Sequence, residues 1–139
     1  MGGGWGWCDR RAHGTGVQLG ENMATYSKVL LSGSTQGKGI KVVQTATAGD
    51  TIHTAVAGTS DLDEIWLYAV NSSAAAVKLT LEWGEAAAPD GNIEQILAPE
   101  AGLVLLVPGL LLQNELVVKA FASAANVILI HGFVNRIAA

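Results

Sequence analysis

Residues Glu64 to Trp83 read EIWLYAVNSSAAAVKLTLEW, and this stretch decides the fold class. In its second half Val77, Leu79, Leu81 and Trp83 alternate with Lys78, Thr80 and Glu82. A period of two sends successive side chains to opposite faces, so the segment reads as a strand with one face in a core and one in water. In its first half, Ile65 to Val70 concentrates Ile, Trp, Tyr and Val, residues that suit a pleated surface better than a helix. The small residues between the two runs suggest a connection, and the expectation is that the two strands pair as a hairpin.

Outward from this stretch the chain continues as short apolar runs separated by turn chemistry. Strands are expected over 26–32, 40–46, 51–56, 93–97, 103–107, 116–122 and 127–137. Gly33 to Gly39 reads as a glycine-rich hairpin turn, Ala57 to Asp63 as a polar loop, and Pro89-Asp90-Gly91-Asn92 as a tight turn in which Pro presets φ and Gly accepts a positive one. Pro108-Gly109 reads as a turn as well. Gly132, inside the last strand, suggests a bulge or a close backbone approach. Strands recurring about every 8 to 12 residues with turns between them indicate an antiparallel sandwich or barrel. Ser72 to Glu85 is the best helical competitor, but the alternation from Val77 onward does not fit a period of 3.6.

The chain has 139 residues, a size suited to one domain with a real core. Charged residues make up only 14%, against about 25% in an average soluble domain. So little charge leaves apolar surface over once a small β core is filled, and such surface usually meets another protein. The net charge of −4 and the absence of any basic run argue against a nucleic-acid partner. The longest apolar run, Leu103 to Leu112, is broken by Pro108-Gly109 and is shorter than the about 20 residues of a membrane-spanning helix, so no membrane partner is expected. Cys8 stands alone and cannot form an internal disulfide.

Residues 1 to 22 lack periodicity and precede a second methionine, Met23. Gly20-Glu21 can be encoded as a purine-rich ribosome-binding sequence just ahead of it. The expectation is a translated leader, disordered or loosely attached, followed by one sandwich domain over 23–139; the rival is an N-terminal arm anchored on a neighbour by Trp5 and Trp7.

No chemistry-bearing motif survives inspection. Gly33 to Gly39 has one residue too few for a phosphate loop, carries Gly39 where a Ser or Thr is needed, and is followed by a strand rather than a helix. Asp61, Asp63 and Glu64 read as a solvated cap rather than a calcium site. His53 and His131 sit within strands without partners at ligand-like spacing and read as satisfied sheet histidines. No nucleophile constellation is visible, so no enzyme, cofactor or metal is expected. Two surfaces stand out instead. Leu110, Leu111 and Leu112 lie between two turns and cannot all point into one core if extended, which makes them candidate interface residues; Tyr26 and Phe133 are further candidates. Trp66, Tyr68 and Trp83 could stack on a ligand, although burial in the core is the simpler reading of three large aromatics in a small β domain.

From Met23 to Ile137 the chain resembles small β-rich virion proteins of tailed bacteriophages and prophages. The similar stretches are 23–56, DLDEIWLYAVN, VKLTLEWG, APDGNIE, LVLLVPGLLLQN and VVKAFASAANVILIHGFVNRI. It is most similar to capsid decoration, or cement, subunits. The resemblance is one of overall pattern and carries over no functional residue. It implies an all-β, antiparallel, jelly-roll-like sandwich of about eight strands, a homotrimer, and attachment to the major capsid protein or other virion proteins. The implied location is the capsid surface of the virion, after synthesis in the host cytoplasm. The alternative reading is a tail- or fibre-associated module that binds host glycan through Trp66, Tyr68 and Trp83.

Overall fold

A computed structural model describes residues 24–139, and the expected leader or arm over 1–22 lies outside the described residues. Among the described residues there are nine strands and no helix. They are β1 (Thr25–Val29), β2 (Ile40–Val42), β3 (Asp50–Thr54), β4 (Leu62–Asn71), β5 (Val77–Trp83), β6 (Asn92–Leu97), β7 (Val104–Leu112), β8 (Val117–Ala122) and β9 (Ile128–Ala138).

Two antiparallel sheets face one another. The first has the order β1-β9-β4-β7, with β2 also on β9; the second has the order β3-β8-β5-β6. β1 and β2 are two pieces of one strand position, since β1 pairs with Val134 to Ala138 and β2 with Ile128 to Ile130 of β9. Counted that way, the eight positions follow the double Greek-key order of a jelly roll. The glycine-rich segment expected as a hairpin turn is therefore an excursion between two in-line pieces. It sends Leu31 into the core, and Gly39 passes so close to the His131 ring that a Cβ would not fit without a shift.

The hairpin expected between β4 and β5 does not form. β4 lies between β9 and β7, while β5 lies between β8 and β6 in the opposite sheet. The five residues 72–76 cross between the sheets, which in a sandwich stack about 10 Å apart. Asn71 fixes the crossing: its buried side-chain amide donates to the carbonyls of Ala75, Leu97 and Ala98 at 2.9, 3.2 and 3.0 Å, and its oxygen accepts from Ser73 N–H at 2.9 Å.

The core is aliphatic. Ile65, Leu67 and Ala69 of β4, Val77, Leu79 and Leu81 of β5, and Ile128, Ile130 and Val134 of β9 are all at most 2% exposed. Gly132 allows β9 to lie tight against β4, because a Cβ there would collide with the Trp66 carbonyl oxygen. The β4–β9 register runs unbroken, so this is the close approach rather than the bulge.

One end of the interior is closed by a polar cluster. The Asp63 carboxylate, fully buried, accepts from Arg136 Nε and a terminal guanidinium nitrogen at 2.7 and 2.9 Å and from Val56 N–H at 3.0 Å. His53 Nε2 lies 2.8 Å from its second oxygen, and Ser32 N–H donates to His53 Nδ1 at 3.0 Å. Nδ1 is thus an acceptor, so Nε2 carries the proton and donates it to Asp63. Asp63 is not the solvated cap residue expected, and both ring nitrogens of His53 are engaged in holding strands together.

Candidate functional site: an aromatic outer face

In β4 the buried row is Asp63, Ile65, Leu67, Ala69 and Asn71, so Glu64, Trp66, Tyr68 and Val70 point to the outer face of the five-stranded sheet. This corrects the expectation that Trp66 and Tyr68 fill the core. Directly opposite residues in an antiparallel pair share a face, which places Phe133, His131 and Asn135 of β9 beside Trp66, Tyr68 and Glu64. The same rule brings Tyr26 and Lys28 of β1, and Leu105 and Leu111 of β7, onto that face.

The centre of the face is a row across four strands. Trp66 and Phe133 are stacked with ring centroids 6.0 Å apart and planes 8° from parallel. Lys28 Nζ stands 4.6 Å from the Phe133 centroid, within cation–π range. On the other flank β7 bulges: Ile65 pairs with Leu110 and Trp66 with Pro108, leaving Gly109 as the extra residue. Gly109 adopts φ +87° and brings its backbone so near the indole that an added Cβ would lie 3.1 Å from Trp66 Cζ2. The Pro108-Gly109 pair is thus a bulge inside a continuous strand, not the turn expected, and it accommodates the Trp66 ring.

Polar groups hold the edge of the row. Glu64 Oε1 accepts from Asn135 Nδ2 at 2.8 Å and from Trp66 Nε1 at 3.3 Å, and these hydrogen bonds hold its carboxyl below the ordinary range. They also orient the indole.

The candidates expected from the sequence therefore regroup. Tyr26 (70% exposed), Leu111 (50% exposed) and Phe133, expected at an interface, join Trp66 and Tyr68, expected to stack on a ligand or fill the core, on one surface. Leu110 is exposed at the β7 edge, and Leu112 is buried opposite Asp63. Trp83 belongs to the other sheet and packs against the core, so the three aromatics do not form one stacking platform. Leu105 also lies on this surface and is not among the expected candidates, because Leu103 to Val107 is apolar at every position and carries no alternation that marks an outward side chain.

The outer face of the four-stranded sheet is different. Glu82 points outward from β5 yet is only 1% exposed, because the β2–β3 connection reaches over it. Thr47 Oγ1 and Gly49 N–H donate to its two oxygens, the latter at 2.8 Å. A cleft of about 290 Å³ remains beside this cover, lined in part by Thr47, Glu82, Asn92 and Phe121.

Among the described residues, no three His, Cys, Asp or Glu side chains converge as metal ligands. No protein-family model, curated protein or solved structure gives a significant match to this chain.

Proposed function

We propose that this chain is a structural protein of a tailed-phage virion, a capsid decoration or cement subunit that self-associates, as a homotrimer, and binds the major capsid protein or other virion proteins by surface contact. The observation that carries the reading is the outer sheet face, without a covering segment among the described residues, on which exposed Tyr26 and Leu111 join half-buried Trp66, Tyr68 and Phe133 on a jelly-roll sandwich. Contiguous apolar surface of this kind marks a contact site, and Trp and Tyr are the residues on which interface energy concentrates. The pattern resemblance to small virion proteins supplies the biological setting. Protein contact accounts for the face better than glycan stacking, because the Trp66 ring is already stacked with Phe133 and met by the Gly109 backbone, while Trp83 packs against the core.

The test is mass spectrometry of particles purified after induction of the strain that encodes the chain. The reading expects this chain in the particles, in a copy number that is a multiple of three. Its absence from intact particles, with the protein present in the lysate, would overturn the reading.

A further inference from the structure

The outer face of the four-stranded sheet carries a carboxylate that its surroundings do not neutralise. Cross-strand neighbours in an antiparallel sheet share a face, so Glu82 of β5 stands between Asn92 of β6 and Lys119 of β8, and Phe121 of β8 lies one step along, opposite Thr80. Glu82 is buried, and its two oxygens accept from neutral donors, the Thr47 hydroxyl and the Gly49 N–H. Among the described residues no ion pair joins it to Lys119. Beside it, Asn92 Oδ1 is buried and accepts no hydrogen bond from the described residues.

Both side chains line the cleft of about 290 Å³. Thr45 and Thr47 of the β2–β3 connection form one wall, Ala86 and Ala88 of the β5–β6 connection another, and Phe121 completes the lining. A smaller cavity of about 110 Å³ shares Glu82 and Ala86 and adds Glu85 and Lys119. The two cavities are thus lined by two carboxylates and one ammonium, which leaves the region one positive charge short. Donors are short as well. A carboxylate offers about four lone-pair positions, of which Glu82 uses two, and Asn92 Oδ1 uses none of its own.

We propose that this cleft binds a small organic primary amine in its ammonium form, with the ammonium on Glu82 and Asn92 and a short alkyl body against Ala86, Ala88 and Phe121. A primary ammonium has three N–H donors and no acceptor, so it supplies both the charge and the hydrogen bonds that the two side chains call for. It reaches Glu82 by displacing the Thr47 hydroxyl, a neutral donor held on a connection rather than on a strand. The bond it forms is charge-assisted and stronger than the one it replaces, and an aromatic ring beside a cation adds attraction of its own. An anion would meet the Glu82 charge, and an alkane would leave both acceptors unpaired. The volume lies just under the range of about 300–1,000 Å³ typical of small-molecule sites, which restricts the ligand to a few heavy atoms.

The experiment is an NMR titration of the ¹⁵N-labelled full chain with n-butylammonium chloride, read at the Gly49 backbone amide and the Asn92 side-chain amide, with n-butanol and sodium butyrate as controls. Saturable shifts of both signals are expected with the amine alone. Glu82→Gln, which keeps an acceptor for Gly49 N–H, should weaken binding by roughly tenfold or more, and Asn92→Ala by less. Thr47→Ala, which removes the competing donor, should tighten it. Circular dichroism confirms that each variant is folded, and should Glu82→Gln fail to fold, Asn92→Ala and Thr47→Ala still decide. Shifts that never saturate, or that n-butanol or butyrate reproduces, overturn the proposal. Binding seen only in Lys119→Met overturns it too, because Lys119 would then already hold the place of the ligand. None of these outcomes bears on the virion reading, which the particle measurement decides.

Discussion

The two outer faces of this sandwich solve the same problem in opposite ways. On the four-stranded sheet the chain covers its own surface: the β2–β3 connection lies over Glu82, and Thr47 and Gly49 satisfy the buried carboxylate. On the five-stranded sheet nothing in the described residues covers the row from Lys28 to Gly109, although it holds larger apolar side chains than the interior does. Fully burying an exposed large apolar side chain gains about 1.5–3 kcal/mol, so Tyr26 and Leu111, 70% and 50% exposed, have much of that to gain from a partner, and the half-buried Trp66, Tyr68 and Phe133 a smaller part. The covered face contributes to folding, and the open face is suited to association.

The comparison can be broken first through the interior that both faces share. Asp63→Ala leaves Arg136 and His53 without their acceptor, and loss of one member of a buried charge pair costs about 3–5 kcal/mol. Chemical unfolding should show that loss, and with it both faces should fail together. On the covered side alone, Gly49→Ala drives a Cβ into the backbone of Ala120, with an expected loss of about 3 kcal/mol in the same assay. Glu82→Ala is milder: it strands the Thr47 hydroxyl and the Gly49 N–H, at about 1–3 kcal/mol, without changing the association constant.

The open side should respond in the reverse manner. Leu111→Asp and Tyr26→Ala, at positions 50% and 70% exposed, should abolish or strongly weaken association in light scattering while shifting unfolding by less than about 1 kcal/mol, as surface substitutions do. A Leu111→Asp variant that still associates normally would remove this residue from the contact. The smallest effect concerns acid. Burial pushes the Asp63 carboxyl up, but the hydrogen bonds from Arg136 and His53 and the charge of Arg136 outweigh it, so it titrates below its ordinary value of 3.8 in the folded state. The unfolded chain therefore binds a proton at this site more readily. Its contribution to stability is present in full above the ordinary value and is lost as pH falls through the lower, folded one. Denaturation midpoints followed downward from pH 6 should fall in that acid range, and much less so in Asp63→Asn.

The strand positions were legible because alternation and turn residues mark them, most clearly in Val77 to Trp83. Their pairing was not. Neighbouring strands in sequence usually pair, and the Ser-Ser-Ala-Ala-Ala link carries no sign that it crosses between sheets; the deciding contacts are made by Asn71 to carbonyls as distant as Leu97 and Ala98. Which face of β4 is inward was equally hidden. Its outward row, with Trp66, Tyr68 and Val70, is more apolar than its inward row, which ends in Asp63 and Asn71. Only the register with β9, which places Arg136 opposite Asp63 and Gly132 opposite Leu67, makes the inward choice intelligible. The surface role of Leu111 could be anticipated from three adjacent leucines, because an extended chain cannot bury all of them on one side.

Hydroxyl-radical footprinting of the full chain, read by mass spectrometry across a dilution series, tests the central claim most directly. Tyr26, Trp66, Tyr68 and Phe133 should be protected together at concentrations where the protein is associated and should become reactive together on dilution, while Phe121 on the other sheet keeps a constant rate. Equal reactivity of the four aromatics at every concentration, in a protein that light scattering shows to be associated, would mean that the open face is not the contact.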